Sequence, residues 1–160
     1  MIRAANTGDA NSIACIISTV WREAYRGVID EDFLKNRTPE KVKHNLNNVL
    51  NNKTEDFYVY EEDGIVKGFI AGRINMDKYD SEVTRLYVGL EYQGRNIGTE
   101  LLEYMKKYYK SRDCKNIIIW TIKNLKNNTF YVKNKGKVEE EKELEIGGKK
   151  YPGIGFLFIL

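Results

Sequence analysis

Val88-Gly89-Leu90-Glu91-Tyr92-Gln93-Gly94-Arg95-Asn96-Ile97-Gly98-Thr99 decides how this chain folds. Before it, Glu82-Val83-Thr84-Arg85-Leu86-Tyr87-Val88 reads as a strand. After it, Ile97, Leu101, Leu102, Met105, Tyr108 and Tyr109 recur at helical spacing. The stretch is therefore a strand-to-helix turn. Gly94 and Gly98 carry no side chain, so the backbone N–H groups between them can turn toward one ligand. Those donors sit at a helix N-terminus, where the dipole favours an anion, and Arg95 adds a cation. A diphosphate is the natural guest, although glycines at such a turn also serve packing alone. The turn lacks the Gly-Lys-Ser/Thr of a P-loop, and its glycines stand at the wrong offsets for a dinucleotide fingerprint.

Outward from this turn the pattern is regular. Ile2 to Ala4 is a short strand, and Thr7 is a plausible cap with Asp9 in the first turn. Ile13, Ile16, Ile17, Val20, Trp21 and Ala24 then mark an amphipathic helix ending near Gly27. Thr38-Pro39-Glu40 starts a second helix, with proline at its first position and Val42, Leu46, Val49 and Leu50 as its stripe. Phe57 to Tyr60 and Ile65 to Ile70 are strands joined by Asp63-Gly64, a strong hairpin signal. Asp77 to Asp80 reads as a turn. Asn116 to Trp120 is an apolar run suited to a strand buried on both faces. Asn127 to Lys133 is a short helix, and Val138 to Ile146 with Tyr151 to Leu160 closes as a hairpin around Gly147-Gly148. The order gives an α/β or α+β fold: a central mixed sheet of about seven strands flanked by about four helices. The run Glu139-Glu140-Glu141-Lys142-Glu143 suits the solvated face of an edge strand.

The chain has 160 residues, the size of one domain, so residues 1–160 are expected to form a single core. It is 42% hydrophobic and 31% charged, which excludes a disordered chain. No apolar run long enough for a membrane span and no leader-like segment occurs, so no membrane role is expected. The two cysteines, Cys15 and Cys114, cannot form a disulfide framework or a cysteine-only metal site, and with one histidine, His44, the counts remove most zinc hydrolases, histidine-based triads and iron–sulfur proteins. A reducing, cytoplasmic setting and no metal follow as expectations. The net charge of +3 reads as a solvated surface with neither a basic stripe nor an aromatic platform, so no nucleic-acid partner is expected.

Gln93-Gly94-Arg95-Asn96-Ile97-Gly98 resembles the Q/R-x-x-G-x-G/A signature of the GNAT superfamily of acetyl-coenzyme A-dependent N-acetyltransferases. Asn96 stands where the family usually has glycine, and Asn is the non-glycine residue most tolerant of a left-handed backbone. Downstream, Asn124, Phe130, Tyr131 and Gly136 reproduce the family's N-x5-FY-x4-G spacing, with Lys133 at its usual lysine. Trp21 to Gly27 is similar to a first-helix segment common in bacterial members. The resemblance covers nearly the whole chain. It implies a mostly antiparallel twisted sheet in which the strand ending Leu86-Tyr87-Val88 splays from the Ile117-Ile118-Ile119 strand. It further implies acetyl-CoA as co-substrate, direct attack of a primary amine on the thioester, and a monomer or homodimer. The alternative is a non-catalytic module of the same fold that binds acetyl-CoA or a protein.

Transfer of an acyl group from a thioester to an amine sets three demands. The amine must lose a proton, negative charge on the carbonyl oxygen must be stabilised, and the leaving thiolate must be protonated. By resemblance Tyr131 is the general acid toward the sulfur; its phenol is protonated at neutral pH. Glu82 matches the spacing of the base in one branch of the family and acts directly or through water; alternatively it faces solvent or pairs with Arg85. The resemblance places the coenzyme on Leu86, Tyr87 and Val88, whose main chain bonds the pantetheine arm. It adds the turn Gln93 to Thr99 for the diphosphate, and Asn124, Asn127, Tyr131 and Lys133 from the other side. Trp21, Glu23 and Tyr25 would wall the acceptor pocket, with Trp21 also suited to the core. Nothing in the sequence selects the acceptor.

Overall fold

A computed structural model describes residues 1–74 and 77–160. Strand β1 (Ile2–Ala4) runs into a 3-10 turn, Thr7–Asp9, that leads helix α1 (Ala10–Ala24). The cap is Asn6, not Thr7: the Asn6 side chain accepts from the Gly8 N–H, and the Asp9 carboxylate accepts from the Asn6 N–H. Thr7 lies inside the turn, whereas extended Asn6 (φ −133°) can reach back over it. Asp9 also accepts from Arg3 at 2.8 and 2.9 Å, fastening the helix start to β1. The helix stops three residues short of Gly27.

A short helix, α2 (Glu31–Asn36), lies where the apolar pattern gave no signal. Asp30 caps it by accepting from the Phe33 N–H at 3.1 Å. Helix α3 (Pro39–Asn52) begins as the sequence predicts, with Thr38 as cap and Pro39 in the first turn. Strands β2 (Asp56–Glu62) and β3 (Ile65–Ile74) are joined at Asp63 and Gly64, with φ of 55° and 73°. Two successive left-handed residues suit the twist of a two-residue hairpin. Strand β4 (Ser81–Val88), helix α4 (Ile97–Lys110), strand β5 (Asn116–Ile122) and helix α5 (Asn128–Lys133) follow. Strands β6 (Lys137–Ile146) and β7 (Lys149–Ile159) complete the expected hairpin.

The seven strands form one sheet in the order β1-β2-β3-β4-β5-β7-β6. Among the described residues only β4 and β5 run parallel; every other pairing is antiparallel. Alternation along β3 sends Phe69 and Ala71 to one face, under α1 and α3, and Ile70 to the other, under α4. Both faces are thus covered, as the apolar run in β5 requires. The acidic run lies on edge strand β6, where Glu140 pairs with Lys78 and Glu141 with Lys123. No helix among the described residues is long and apolar enough to cross a membrane.

The feature that makes the site is a failure of pairing. The β4–β5 ladder consists of Ser81↔Ile117, Glu82↔Ile118 and Val83↔Ile119, and there it ends. Ile117 to Ile119 are thus the paired part, and the opening starts one step further on, at Thr84 and Trp120. Its cause is a bulge: register with β3 passes from Ala71↔Arg85 to Gly72↔Val83, which leaves Thr84 unmatched. An extra residue bends its strand and increases the local twist, turning the end of β4 away from β5.

Candidate active site

The wedge between the two strand ends is a cleft of about 440 Å³. One wall is β4 from Val83 to Val88; the other is Ile119 to Thr121 of β5. The first turn of α4 and the residues Asn127, Phe130 and Tyr131 close one end, and Val20, Ala24 and Tyr25 of the α1 region reach it from the other face. Thr84 Oγ1, buried beside the opening, makes no hydrogen bond among the described residues. An extended amide chain laid in the wedge would meet the edges of β4 and β5 that no longer pair with each other.

The turn ahead of α4 is held by its own backbone. Gly89 N–H donates to Lys67 O at 2.9 Å, Tyr92 N–H to Gly89 O at 2.8 Å, and Gln93 Nε2 to Val88 O at 3.1 Å. Gly94 (φ 76°) and Asn96 (φ 66°, ψ 1°) are both left-handed. Asn96 therefore takes the conformation expected of the glycine it replaces. Its side chain makes no cap, and the first intrahelical bond runs from Glu100 N–H to Asn96 O. The amides of Ile97, Gly98 and Thr99 are left without intrahelical acceptors at the positive end of the helix. Gly98 has a second role: a β-carbon there would stand 3.2 and 3.3 Å from the Phe130 ring. Its missing side chain is what lets α5 close against α4.

Three phenols meet in this cleft. The Tyr131 ring stacks on Phe156 at 5.1 Å and meets Phe130 edge-on at 5.4 Å. Burial, and then the neighbouring Tyr87 phenol, push its pKa well above the usual value, so it stays protonated and can donate. Tyr87 and Tyr25 are also raised, chiefly by burial. The neighbouring Trp21 and Tyr25 side chains, and then the charges of Arg37 and Arg85, partly oppose the rise at Tyr87. Tyr25 Oη feels both other phenols, so the three hydroxyls form one group.

The remaining sequence-predicted residues divide. Leu86, Tyr87, Val88, Asn127 and Tyr131 line the cleft, with the turn residues Gln93, Gly94, Asn96, Ile97, Gly98 and Thr99. Arg95 is exposed, 5.7 Å from the Tyr92 ring, and off the cleft wall. Lys133 faces a separate lysine-rich hollow with Lys106 and Lys107. Asn124 is exposed and left-handed (φ 66°), serving the turn after β5. Asn128 instead ties α5 to the strand end, donating from Nδ2 to Ile122 O at 2.9 Å, while its Oδ1 is buried without a partner among the described residues. Sequence reading missed Asn128 because one Asn among several carries no distinguishing spacing.

Glu82 accepts from Arg73 Nε and Nη2 at 3.0 and 2.8 Å and is absent from the cleft wall. It does not pair with Arg85, whose partner is Glu55. Of the three residues expected around the acceptor, only Tyr25 lines the cleft. Trp21 lies beneath the Arg37 guanidinium, 4.0 Å from its ring centroid, and Glu23 is exposed and paired with Arg26 at 3.0 Å. No carboxylate or imidazole lines the cleft among the described residues.

Comparison with known proteins agrees with this geometry. The model of the acetyltransferase (GNAT) family matches residues 17–136. A spermidine N(1)-acetyltransferase of Thermoplasma acidophilum is 26% identical over 145 residues, covering 87% of this chain and 89% of that protein. An uncharacterized N-acetyltransferase of Archaeoglobus fulgidus is 29% identical over 136 residues, covering 81% and 88%. Among solved structures, the PaiA N-acetyltransferase of Thermoplasma acidophilum, in complex with coenzyme A, superposes with a TM-score of 0.78 at 24% identity over 96% of both chains. A GCN5-related N-acetyltransferase of Rhodopseudomonas palustris gives 0.82 at 17% identity over 100% of this chain and 95% of that one.

Proposed function

The chain belongs to the GNAT acetyltransferase family, and on that premise we propose that the β4–β5 cleft carries acetyl transfer from acetyl-CoA to a primary amine. The observation that supports this reading most is the end of the parallel ladder at Val83 and Ile119. It opens unpaired backbone onto the Tyr131 phenol at one side and onto the free amides of α4 at the other.

The residues present fit the co-substrate. The edge of Thr84 to Val88 that β5 leaves uncovered and the Thr84 hydroxyl, orphaned among the described residues, suit the amide-bearing pantetheine arm. The left-handed turn Gly94–Asn96 and the amides of Ile97, Gly98 and Thr99 suit a diphosphate. Asn127 flanks that arm from α5. Arg95 and Lys133, both exposed, would act on phosphate charge from outside the wall, and Asn124 supports the turn beneath.

In the transfer itself, the acceptor nitrogen bonds to the thioester carbon, the carbon–sulfur bond breaks, and sulfur leaves as a thiol. Tyr131 supplies the sulfur's proton and recovers one from solvent. The Val88 amide, on the unpaired edge, faces the developing oxyanion. With no carboxylate on the cleft wall, the amine's proton leaves through water. Glu82, clamped by Arg73, acts at most as the distant end of that water path. Tyr25 packs beside the attacking amine.

The test is release of free thiol from acetyl-CoA across a broad amine panel. An amine-dependent signal that falls at least tenfold in Tyr131→Phe supports the reading. A protein that binds acetyl-CoA but releases no thiol with any amine is a binding module instead.

A further inference from the structure

Behind the cleft, between α2, α3 and β4, lies a second hollow of about 260 Å³. Arg85 lines both spaces, so the hollow and the cleft share one residue of β4. Every charged residue on its wall is a cation: Arg37, Lys41 and Arg85. Arg85 has a carboxylate, Glu55. Arg37 and Lys41 are in no ion pair among the described residues.

Arg37 is the more telling of the two. It follows α2, and its guanidinium carbon lies over the Trp21 ring, 4.0 Å from the centroid. That contact holds the cation in place without neutralising it. Its Nε is buried and makes no hydrogen bond among the described residues. Its charge reaches the phenols of Tyr25 and Tyr87, which places it within electrostatic range of the acceptor side of the cleft. Arg37 is half-buried; withdrawing a cation from water without a partner is costly, and a planar guanidinium fork matches a carboxylate or a phosphate.

We propose that the acceptor amine carries an anionic group, a carboxylate or a phosphate ester, and that Arg37 holds this group in the hollow with Lys41 while the amine meets the thioester. The proposal rests on the acetyl-transfer reading of the cleft and names its substrate class. It also sets this chain apart from a polyamine acetylase: spermidine has no anion to offer, and its further ammonium groups would meet like charge at Arg37 and Lys41.

The test compares acceptors that differ only in the anion. Free-thiol release is measured with ω-amino acids from glycine to 6-aminohexanoate against their amides, with 3-aminopropyl phosphate against 3-aminopropanol, and with spermidine. The expected result is a kcat/KM at least tenfold higher for one acid over its amide, or for the phosphate over the alcohol; which pair responds distinguishes carboxylate from phosphate. In Arg37→Gln that preference disappears through a raised acceptor KM, with the KM for acetyl-CoA unchanged, and Arg37→Lys restores part of it. Equal rates for charged and neutral partners, preference for spermidine, or an unchanged ratio in Arg37→Gln overturns the proposal. The wild-type pairs decide the matter even if the variants fold poorly. Should no amine in the panel react, inorganic phosphate is titrated calorimetrically into the acetyl-CoA-loaded protein: saturable binding lost in Arg37→Gln supports the anion site, and no binding overturns it. Failure of the acetyl-transfer reading shows separately, as acetyl-CoA that leaves the melting temperature unmoved.

Discussion

Phe130 lies so close over Gly98 that a β-carbon on residue 98 would stand 3.2 Å from the ring's Cε2. This contact joins the first turn of α4 to α5, and thereby the proposed diphosphate site to the phenol of Tyr131. Gly98→Ala must move Phe130, and with it Tyr131. We expect about 1–3 kcal/mol of lost stability from overpacking and a roughly tenfold or greater loss of kcat/KM for acetyl-CoA, about 1.4 kcal/mol per tenfold. Denaturant unfolding and steady-state kinetics check the two effects. Wild-type values for both would show that the contact does not govern the site.

Asn96 opens α4 with a φ of 66° and no side-chain cap. Its value is conformational, so Asn96→Gly should leave stability within about 0.5 kcal/mol, whereas Asn96→Ala should cost about 1 kcal/mol for a β-carbon in the left-handed region. Urea unfolding of the two variants compares them directly. Equal stability of both would mean that the Asn side chain contributes in a way its geometry does not indicate.

Tyr131→Phe keeps the ring on Phe156 and removes only the donor. Turnover should fall about 10²-fold, the scale of a positioned general acid, with the KM for acetyl-CoA changed less than about twofold. The raised pKa of Tyr131 means that loss of its proton should impose no alkaline fall in rate below about pH 10. A wild-type rate that descends between pH 8 and 9 would point to another acid.

The same raised values make stability depend on alkaline pH. Tyr25, Tyr87 and Tyr131 hold their protons more tightly folded than unfolded. Below about pH 10 both states are protonated, and these groups contribute no pH dependence. Above it the unfolded chain releases protons that the folded chain keeps, so stability falls as pH rises. The urea midpoint should drop between pH 10 and 11, and less steeply in Tyr25→Phe. A flat midpoint would mean that the phenols ionise in place.

Much of the frame is legible in local chemistry. Thr38-Pro39, Asp63-Gly64 and the helical recurrence after Ile97 each fix an element within a few residues, and each appears in the structure where the pattern puts it. Helix α2 was not legible, because six residues with one buried leucine carry no periodicity and only the Asp30 cap marks it. The cap of the 3-10 turn that leads α1 is Asn6, one residue before Thr7, since both are capable and only backbone geometry chooses between them.

The site was legible along the chain but not across it. The turn from Gln93 to Thr99, Arg95 excepted, lines one cleft with Tyr131. The bulge at Thr84 that opens this cleft has no signature, because it depends on register with Ala71 and Gly72 of a neighbouring strand. Likewise, nothing in the order of residues says that Glu82 will meet Arg73 or that Trp21 will lie under Arg37. Such contacts between distant segments exist only after folding.

The most direct measurement is a crystal structure of the chain grown with coenzyme A or acetyl-CoA. The diphosphate is expected within hydrogen-bond distance of the amides between Gly94 and Thr99, the pantetheine arm between Thr84–Val88 and Ile119–Thr121, and the sulfur within reach of Tyr131 Oη. A carrier bound elsewhere, or one in the cleft with its sulfur turned away from Tyr131, would contradict the account.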